Sequence, residues 1–297
     1  MASVQDLKRR IRSIQNTRKI TKAFELVASA RLRRAQARIE AMRPYADRMQ
    51  ELVARTAVAS GSVRGLPLLR RRDVSRAAIV PFTGDRGLAG AFNAQVLRRA
   101  FALERELRAD GVEVRWLVAG KKGQSTLRFR RYSVEQAWTG FSDRPSYHDA
   151  QAIAHRLAEL YAQEEVDRVV IIYNRFVSAL TQRVEEQDVL PIPEDVLEAE
   201  ERAEQEQQAL VGDFIYEPEP AQILERLLPV YLETELYRAL LESAASEQGA
   251  RMTAMRNASS NAGDLIDSLT LAMNRARQAE ITQEILEVVA GADALTA

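Results

Sequence analysis

The sequence predicts an α/β protein with a long α-helical coiled coil. Its first and last helices are expected to pair as an antiparallel two-helix coiled coil, and its centre to form a Rossmann-like, mostly parallel sheet domain. Two observations predict this fold: apolar residues recur every three or four positions at both ends of the chain, whereas the middle alternates short apolar runs with helical stretches. The predicted parts are an N-terminal coiled-coil helix over 1–58, a central α/β domain over 74–192, an acidic linker and foot loop over 193–219, and a C-terminal coiled-coil helix with an apolar tip over 220–297.

The N-terminal heptad predicts one long helix that seeks a helical partner. Its apolar members are Leu7, Ile11, Ile14, Ala28, Leu32, Ala35, Ile39, Met42, Ala46, Met49 and Val53. Three polar residues, Arg18, Thr21 and Glu25, interrupt this pattern. Around them the apolar stripe is expected to move sideways to Ile20, Phe24 and Val27.

The C-terminal heptad is rich in alanine, and small residues let two helix axes approach closely. Its predicted members are Leu227, Val230, Tyr237, Leu241, Ala244, Met255, Ala258, Ala262, Leu265, Leu269, Ala272, Ala276, Ala279, Leu286 and Ala290. At a rise of 1.5 Å per residue, 50 to 60 residues make a rod on the order of 80 to 90 Å long, which no compact domain of this size spans. We therefore expect the two helices to bury their seams against each other; the alternative is that each helix packs separately on the globular core.

The middle of the chain predicts crossover units of strand and helix. Apolar runs at 77–82, 112–120 and 166–176 read as strands, and the stretches 94–108 and 147–164 read as helices. This order implies right-handed crossovers and a mostly parallel sheet. The alternating segment after Ala179 predicts an added edge strand.

A glycine-rich turn follows the first predicted strand. Its glycines, Gly84, Gly87 and Gly90, have the spacing G-x-x-G-x-x-G. Dinucleotide-binding turns have G-x-G-x-x-G, and phosphate loops end in G-K-[ST], so neither motif is present. A structural turn is the favoured interpretation, and we expect no cofactor.

Candidates for catalysis are few. The chain has no cysteine, which excludes a disulfide scaffold, a thiolate metal site and a cysteine nucleophile. Its two histidines, His148 and His155, are seven residues apart, which is not a metal-ligand or nucleophile-activating spacing. We expect no catalytic residue and no metal site; an independent α/β nucleotide enzyme remains an alternative, which the missing phosphate loop weakens.

Charge is unevenly distributed although the formal net charge is zero. Basic residues dominate from Lys8 to Arg55 and acidic ones from Glu185 to Glu225, which suggests different partners for the two regions. The basic helix permits an alternative function, a coiled-coil scaffold with a nucleic-acid-binding arm. An acidic protein partner fits the charges equally well. The apolar C-terminal segment from Ile285 to Ala297 would need an enclosing partner.

Motifs at both ends and at the centre resemble those of the gamma-subunit family of F-type ATP synthases. The opening LKRRIRSIQNTRKITKAFELVASARLRRAQ, the central TGDRGLAGAFN, and the closing SEQGARMTAMRNASSNAGDLI and NRARQAEITQEILEVVAGADAL carry the resemblance. It covers most of 1–58 and 210–295, and extends over 110–161 in pattern only.

This resemblance implies a noncatalytic rotor subunit of the central stalk. Such a subunit couples ion flow through the membrane sector to ATP synthesis or hydrolysis on the alpha and beta subunits. The implied partners are alpha, beta and epsilon subunits and the membrane rotor ring, with no nucleic acid. The implied location is the cytoplasmic side of a bacterial inner membrane, with peripheral attachment through the complex.

Site residues follow from the same resemblance. The expected contacts with beta subunits are the polar catches Arg251, Gln278 and Thr282 and the basic residues Lys19 and Lys22. Tyr216 and Glu217 match the foot toward the membrane ring and epsilon, and Phe24 and Leu26 match shaft-packing positions. The apolar tip comprises Ile285, Leu286, Val288 and Val289. Phe24, Leu26, Ala89 and Ala91 depart from the usual family residues, which leaves coupling details near them open.

Overall fold

In a computed structural model, residues 3–60, 65–193 and 217–296 are described. The first helix, α1, runs over Val4–Ser60 with Pro44 inside it, and a 3-10 turn follows at Pro67–Leu69. The last helix, α5, runs over Pro220–Thr296. Both terminal helices therefore have the lengths that their sequence periods predict.

In the described residues between the terminal helices there are five strands and three α-helices. Their bounds are β1 Arg76–Pro81, α2 Phe92–Ala109, β2 Glu113–Ala119, α3 Lys121–Phe129, β3 Val134–Trp138, α4 Tyr147–Ala162, β4 Arg168–Phe176 and β5 Gln182–Leu190. The strands form one sheet in the order β3-β2-β1-β4-β5. The first four strands are parallel, and β5 pairs antiparallel with β4 at the edge, as predicted.

Helices cover both faces of the sheet. One apolar cluster packs α2 and α3 on the sheet through residues such as Val96, Leu103 and Leu127. The other packs α4 with parts of α1 and α5, through residues such as Leu157 and Leu236. Strands buried on both faces are rich in aliphatic residues, which explains the continuous apolar runs of β1 and β4.

The chain order creates a topological switch point between β1 and β4. From β1 the chain moves outward to β2 and β3, then returns to the other side of β1 as β4. In open α/β sheets, ligands bind in the crevice outside the carboxyl ends of the strands at such a point. The glycine-rich turn from Gly84 to Gly90 lies there.

By contacts between its own residues the chain separates into two compact units. One comprises Ser29–Arg251, and the other comprises Met1–Ala28 with Met252–Ala297. The central domain predicted over 74–192 is thus larger than expected, because parts of α1 and α5 belong to its core.

The predicted secondary structure lacks two elements, α3 and β3. The strand β3 has five residues, none of them fully buried, so its apolar pattern is weak. Its neighbour α3 is only nine residues long. Short elements of this kind leave little periodicity in a sequence.

Candidate functional site

In the unit formed by the two chain ends, α1 and α5 lie side by side and antiparallel. The Arg256 guanidinium donates to the Glu25 carboxylate at 3.2 Å. A second contact joins Arg18, seven residues before Glu25 on α1, to Gly263, seven residues after Arg256 on α5. A methyl group added to Gly263 would lie 3.5 Å from the guanidinium carbon of Arg18. The predicted antiparallel pairing is therefore present in this unit.

The seam of α1 does not move sideways as the sequence analysis expected. Glu25 is 7% exposed and lies in the seam, whereas Ile20, Phe24 and Val27 are 55%, 45% and 49% exposed. The heptad continues without interruption, with Arg18, Thr21 and Glu25 filling three of its positions. Polar residues are accommodated there because Glu25 is bonded to both Lys22 and Arg256.

On α5 after Ala262 the predicted heptad is right at Leu269 and Ala276, which are half-buried, and wrong at Leu265 and Ala272. Leu265 is 48% exposed and Ala272 is exposed, whereas Ile266 and Met273 are half-buried. Apolar residues occupy both neighbouring positions, so the sequence alone offers two alternative seams. Ala279, Leu286 and Ala290 are likewise exposed, which is explained by the end of α1.

In the described part of the chain, the register of the pair leaves the last part of α5 without a partner helix. Continuing from Glu25–Arg256 and Arg18–Gly263, Val4 at the start of α1 comes opposite Arg277. All residues from Gln278 to Ala290 are exposed. This segment includes Gln278 and Thr282, two of the residues predicted to contact beta subunits. The Thr282 hydroxyl donates a hydrogen bond to the Gln278 carbonyl at 2.9 Å.

The predicted apolar tip lies on the same unpaired segment. The exposed fractions are 57% for Ile285, 63% for Leu286, 72% for Val288 and 51% for Val289. Four large aliphatic side chains exposed together on one helix are unusual on a free surface.

An open groove of about 900 Å³ runs along the paired helices. Its lining includes Gln15, Arg18, Lys19, Lys22, Leu26, Ser259 and Ile266. Three of these residues are basic, and Leu26 is 62% exposed. Phe24 and Leu26, predicted as shaft-packing residues, thus lie outside the seam, on a surface that is partly apolar and partly cationic.

Lys22 already has a partner within the chain. Its ammonium group donates to Glu25 at 2.9 Å. This hydrogen bond, together with the one from Arg256, holds the pKa of the Glu25 carboxyl below its usual value. Glu25 therefore stays ionised in the seam, and Lys19 is the more available of the two predicted lysines.

In the other unit, α5 fills the crevice at the switch point. The Ser246 hydroxyl donates to the Asn174 carbonyl of β4 at 2.8 Å. The Glu247 carboxylate lies against Gly84 so closely that a methyl group on the glycine would be 2.8 Å from its carboxyl carbon. The glycine-rich turn therefore packs against a helix of the chain itself.

Arg251 stands at the same crevice, and it is mostly buried. Its guanidinium donates to Glu247 and, at 3.3 Å, to the Gly87 carbonyl. Only 13% of its side chain is exposed. Arg251 is therefore already bonded to Glu247 and to the glycine-rich turn within the chain.

Burial of Glu247 has an electrostatic consequence. Desolvation raises the pKa of this carboxyl, and the neighbouring Arg251 opposes that rise. Glu247 is 1% exposed, so any charge that it carries depends on Arg251 for compensation.

The predicted foot is described only in part. Tyr216 lies outside the described residues, and Glu217 is exposed at their edge, three residues before α5 begins. In the ranges 3–60, 65–193 and 217–296, no group of three or more metal-binding side chains is found. His148 and His155 are both exposed, and His155 lies 3.2 Å from Glu233.

No helix in the described part of the chain is long and apolar enough to cross a membrane.

These features define a class of protein: a helical shaft, in which two long terminal helices pair antiparallel at the chain ends and parts of both helices belong to the core of an α/β domain. A family model described as ATP synthase matches residues 3–295. The chain belongs to the ATP synthase gamma-chain family.

Relatives and solved structures agree with this assignment. The ATP synthase gamma chains of Rubrobacter xylanophilus and a Nostoc species are 46% and 44% identical to the chain, and in both comparisons all of this chain and all of the relative are covered. The central stalk and c-ring structure of the Tetrahymena thermophila mitochondrial ATP synthase matches with 27% identity and a TM-score of 0.58, covering 81% of this chain and 99% of that one.

A second structure supports the fold alone because its identity is low. It is a Euglena gracilis mitochondrial ATP synthase with F1 and c-ring, 19% identical with a TM-score of 0.67, and it covers 98% of this chain and 94% of that one.

The family assignment fixes the role of the chain. It is a central-stalk rotor subunit, and catalysis is carried out by other subunits. None of these comparisons supports the alternative of a nucleic-acid-binding scaffold.

Proposed function

We propose that this chain works as the turning shaft of a bacterial ATP synthase, in contact with a catalytic alpha–beta hexamer at its paired ends. Rotation couples the two sectors because an asymmetric shaft has a different contact free energy with each catalytic site. The observation that carries this proposal is the match over the whole chain to gamma chains at 46% identity.

Contacts with beta subunits are proposed at two places. Gln278 and Thr282 are exposed on one face of the unpaired end of α5, four residues apart, where a partner's polar groups can reach them. Lys19, in the basic groove, is available to an acidic segment of beta. Arg251 and Lys22 join these contacts only by exchanging their present partners, Glu247 and Glu25.

The tip and the foot complete the proposal. Ile285, Leu286, Val288 and Val289 are proposed to turn inside an apolar sleeve, since their exposure in the isolated chain calls for a covering partner. Tyr216 and Glu217 are proposed to meet the epsilon subunit and the membrane ring. The complex would then lie on the cytoplasmic side of the inner membrane.

Truncation after Ala279 tests the shaft. The shortened chain, reassembled with alpha and beta subunits and the membrane sector, is expected to lose most ion-driven ATP synthesis because tip and catch Thr282 are gone. Replacing Ile285, Leu286, Val288 and Val289 by serine keeps the length and isolates the role of the apolar tip. Undiminished synthesis by the truncated chain, or ATP turnover by the pure subunit, would contradict the proposal.

A further inference from the structure

The middle of α5 carries four acidic residues in surroundings that are otherwise largely apolar. Every residue from Tyr231 to Leu236 is buried, and Glu233, Glu235 and Glu247 are 5%, 8% and 1% exposed. Glu242 is half-buried. A buried carboxylate costs free energy unless it is bonded, so four of them on one helix require an explanation beyond core packing.

Glu233 and Glu247 lie on one face of α5. Glu233 accepts hydrogen bonds from the Tyr147 hydroxyl at 2.7 Å and from Gln151, both on α4. Glu247 follows fourteen residues later, which at about 100° per residue returns it to within about 40° of the same face. It meets the turn at Gly84.

Glu235 and Glu242 lie on the opposite face of α5. Glu235 is two residues, or about 200° of helical rotation, from Glu233. It accepts from the Gln187 amide of β5 at 3.1 Å and from Arg238 at 2.6 Å. Glu242, seven residues further on and on the same face as Glu235, lines a small pocket with Phe176 and Arg238, and its Oε2 atom has no hydrogen-bond partner among the described residues.

We propose that Glu233 and Glu235 form a torsional clamp, which prevents α5 from rolling about its own axis inside the α/β domain. Apolar contacts are non-directional and resist separation of a helix more than its rotation, whereas the hydrogen bonds of Glu233 to α4 and of Glu235 to β5 lie on opposite faces, are directional and resist rolling in both senses. The clamp rests on the proposed function, because only a rotor has to transmit torque between this domain and its helix. The two carboxylates are positioning residues.

Angular stiffness measures the clamp directly. The chain has no cysteine, so Phe129→Cys, at a residue 88% exposed on the α/β domain, gives one attachment point for a bead. The labelled chain is assembled with alpha and beta subunits and stalled with a nonhydrolysable nucleotide. The width of the bead's angular fluctuations then gives the torsional stiffness.

The variants remove both partners of a hydrogen bond, because replacing only one would leave a buried polar group unsatisfied. Glu233→Leu with Tyr147→Phe removes one side of the clamp, and Glu235→Leu with Gln187→Leu removes the other. A matched control is Glu104→Leu with Tyr132→Phe. In that pair a tyrosine hydroxyl also donates to a buried carboxylate, at 2.9 Å, but on α2.

Each side's variant is expected to widen the fluctuations, and the combined variant to lower the stiffness at least about twofold, since directional contacts are then lost on both faces. The control should keep the parental stiffness, and ATP turnover without load should be the same in all chains. Equal stiffness in the combined variant and the control would refute the clamp.

Two provisions keep the test decisive. If the combined variant does not assemble, the two one-sided variants are each compared with the control, and parental stiffness in both would equally refute the clamp. If the proposed function itself were wrong, the labelled parental chain would fail to rotate with ATP. That outcome is distinct from a rotating complex of unchanged stiffness.

Discussion

At the scale of single residues, the crevice at the strand ends shows how one side chain decides what a site can hold. Gly84 precedes α2, and its amide donates to the Asn93 side chain at 2.8 Å. Its Cα hydrogens face the Glu247 carboxylate, where no larger residue fits without displacement. The glycine is therefore required by a helix of the same chain rather than by a phosphate.

Gly84→Ala tests this interpretation. The added methyl group would force Glu247 away from Arg251, and we expect a loss of about 1–3 kcal/mol in the free energy of unfolding, typical of overpacking. The measurement is denaturant unfolding of the isolated chain. Gly87→Ala is the matched control in the same turn, because its methyl group would meet only Lys122 at 3.7 Å. Equal losses in the two variants would contradict the interpretation.

Glu242→Gln tests the electrostatics of the half-buried carboxylates. Burial raises the pKa of the Glu242 carboxyl, although Arg238 and Arg175 oppose the rise. The folded state therefore prefers the protonated acid, and that contribution to stability is present below the unfolded pKa and is lost as pH rises through the folded pKa. Glutamine resembles the protonated acid at every pH.

We expect the Glu242→Gln chain to match the parent in acid and to be more stable by roughly 1 kcal/mol at pH 8, the order of one poorly satisfied buried polar group. Thermal unfolding of both chains from pH 4 to pH 8 gives the comparison. A stability difference that shrinks as pH rises would have the wrong sign for a raised pKa.

At the scale of elements, the helix pairs show what the sequence could and could not predict. The period of α1 predicted correctly that Leu7, Leu32 and Val53 are buried, since apolar spacing follows from helix geometry, although Val53 lies in the core of the α/β domain. It treated Glu25 as an interruption, because a sequence does not show that Arg256, 231 residues later, supplies the compensating charge. For the same reason the sequence did not predict that Glu247 of α5 lies in the crevice at the switch point.

The Glu25–Arg256 pair should make a modest, salt-dependent contribution to pairing of the ends. Arg256 is 54% exposed, and pairs with exposed partners contribute about 0.2–1 kcal/mol. A double-mutant cycle with Glu25→Gln and Arg256→Gln measures it. Amide hydrogen exchange over residues 18–28 reports the local free energy of opening.

The coupling between Glu25 and Arg256 should decrease when salt rises from about 0.05 M to 1 M, because dissolved ions screen the attraction between the two charges more strongly at high salt. A coupling near zero at low salt would show that Glu25 is held by Lys22 alone. Lys22→Gln is the control for that contribution, since Lys22 also donates to Glu25.

At the scale of the whole molecule, resistance to local opening should differ sharply along α5. Its stretch from Leu224 to Gln248 is largely buried in the α/β domain, whereas its residues from Gln278 to Ala290 are all exposed. Segments with few buried contacts open at a small fraction of the global free energy of unfolding. The helix α5 is therefore expected to contain one segment that resists local opening and another that opens readily.

Native-state hydrogen exchange checks this directly. Amides of 224–248 in the isolated chain are expected to exchange only through global unfolding, and those of 278–290 to exchange orders of magnitude faster. In the assembled complex the second group should become protected, because the proposed sleeve covers it. Continued fast exchange of 278–290 in the complex would mean that no partner encloses the tip.

The polar residues in the seam also determine how far the tip reaches. If α5 slid by one heptad, Glu25 would face Gly263, which has no cation to offer, and the overhang beyond α1 would change by seven residues, or about 10 Å. The Glu25–Arg256 pair is therefore specific to the present register, and this register sets how far α5 extends beyond the start of α1.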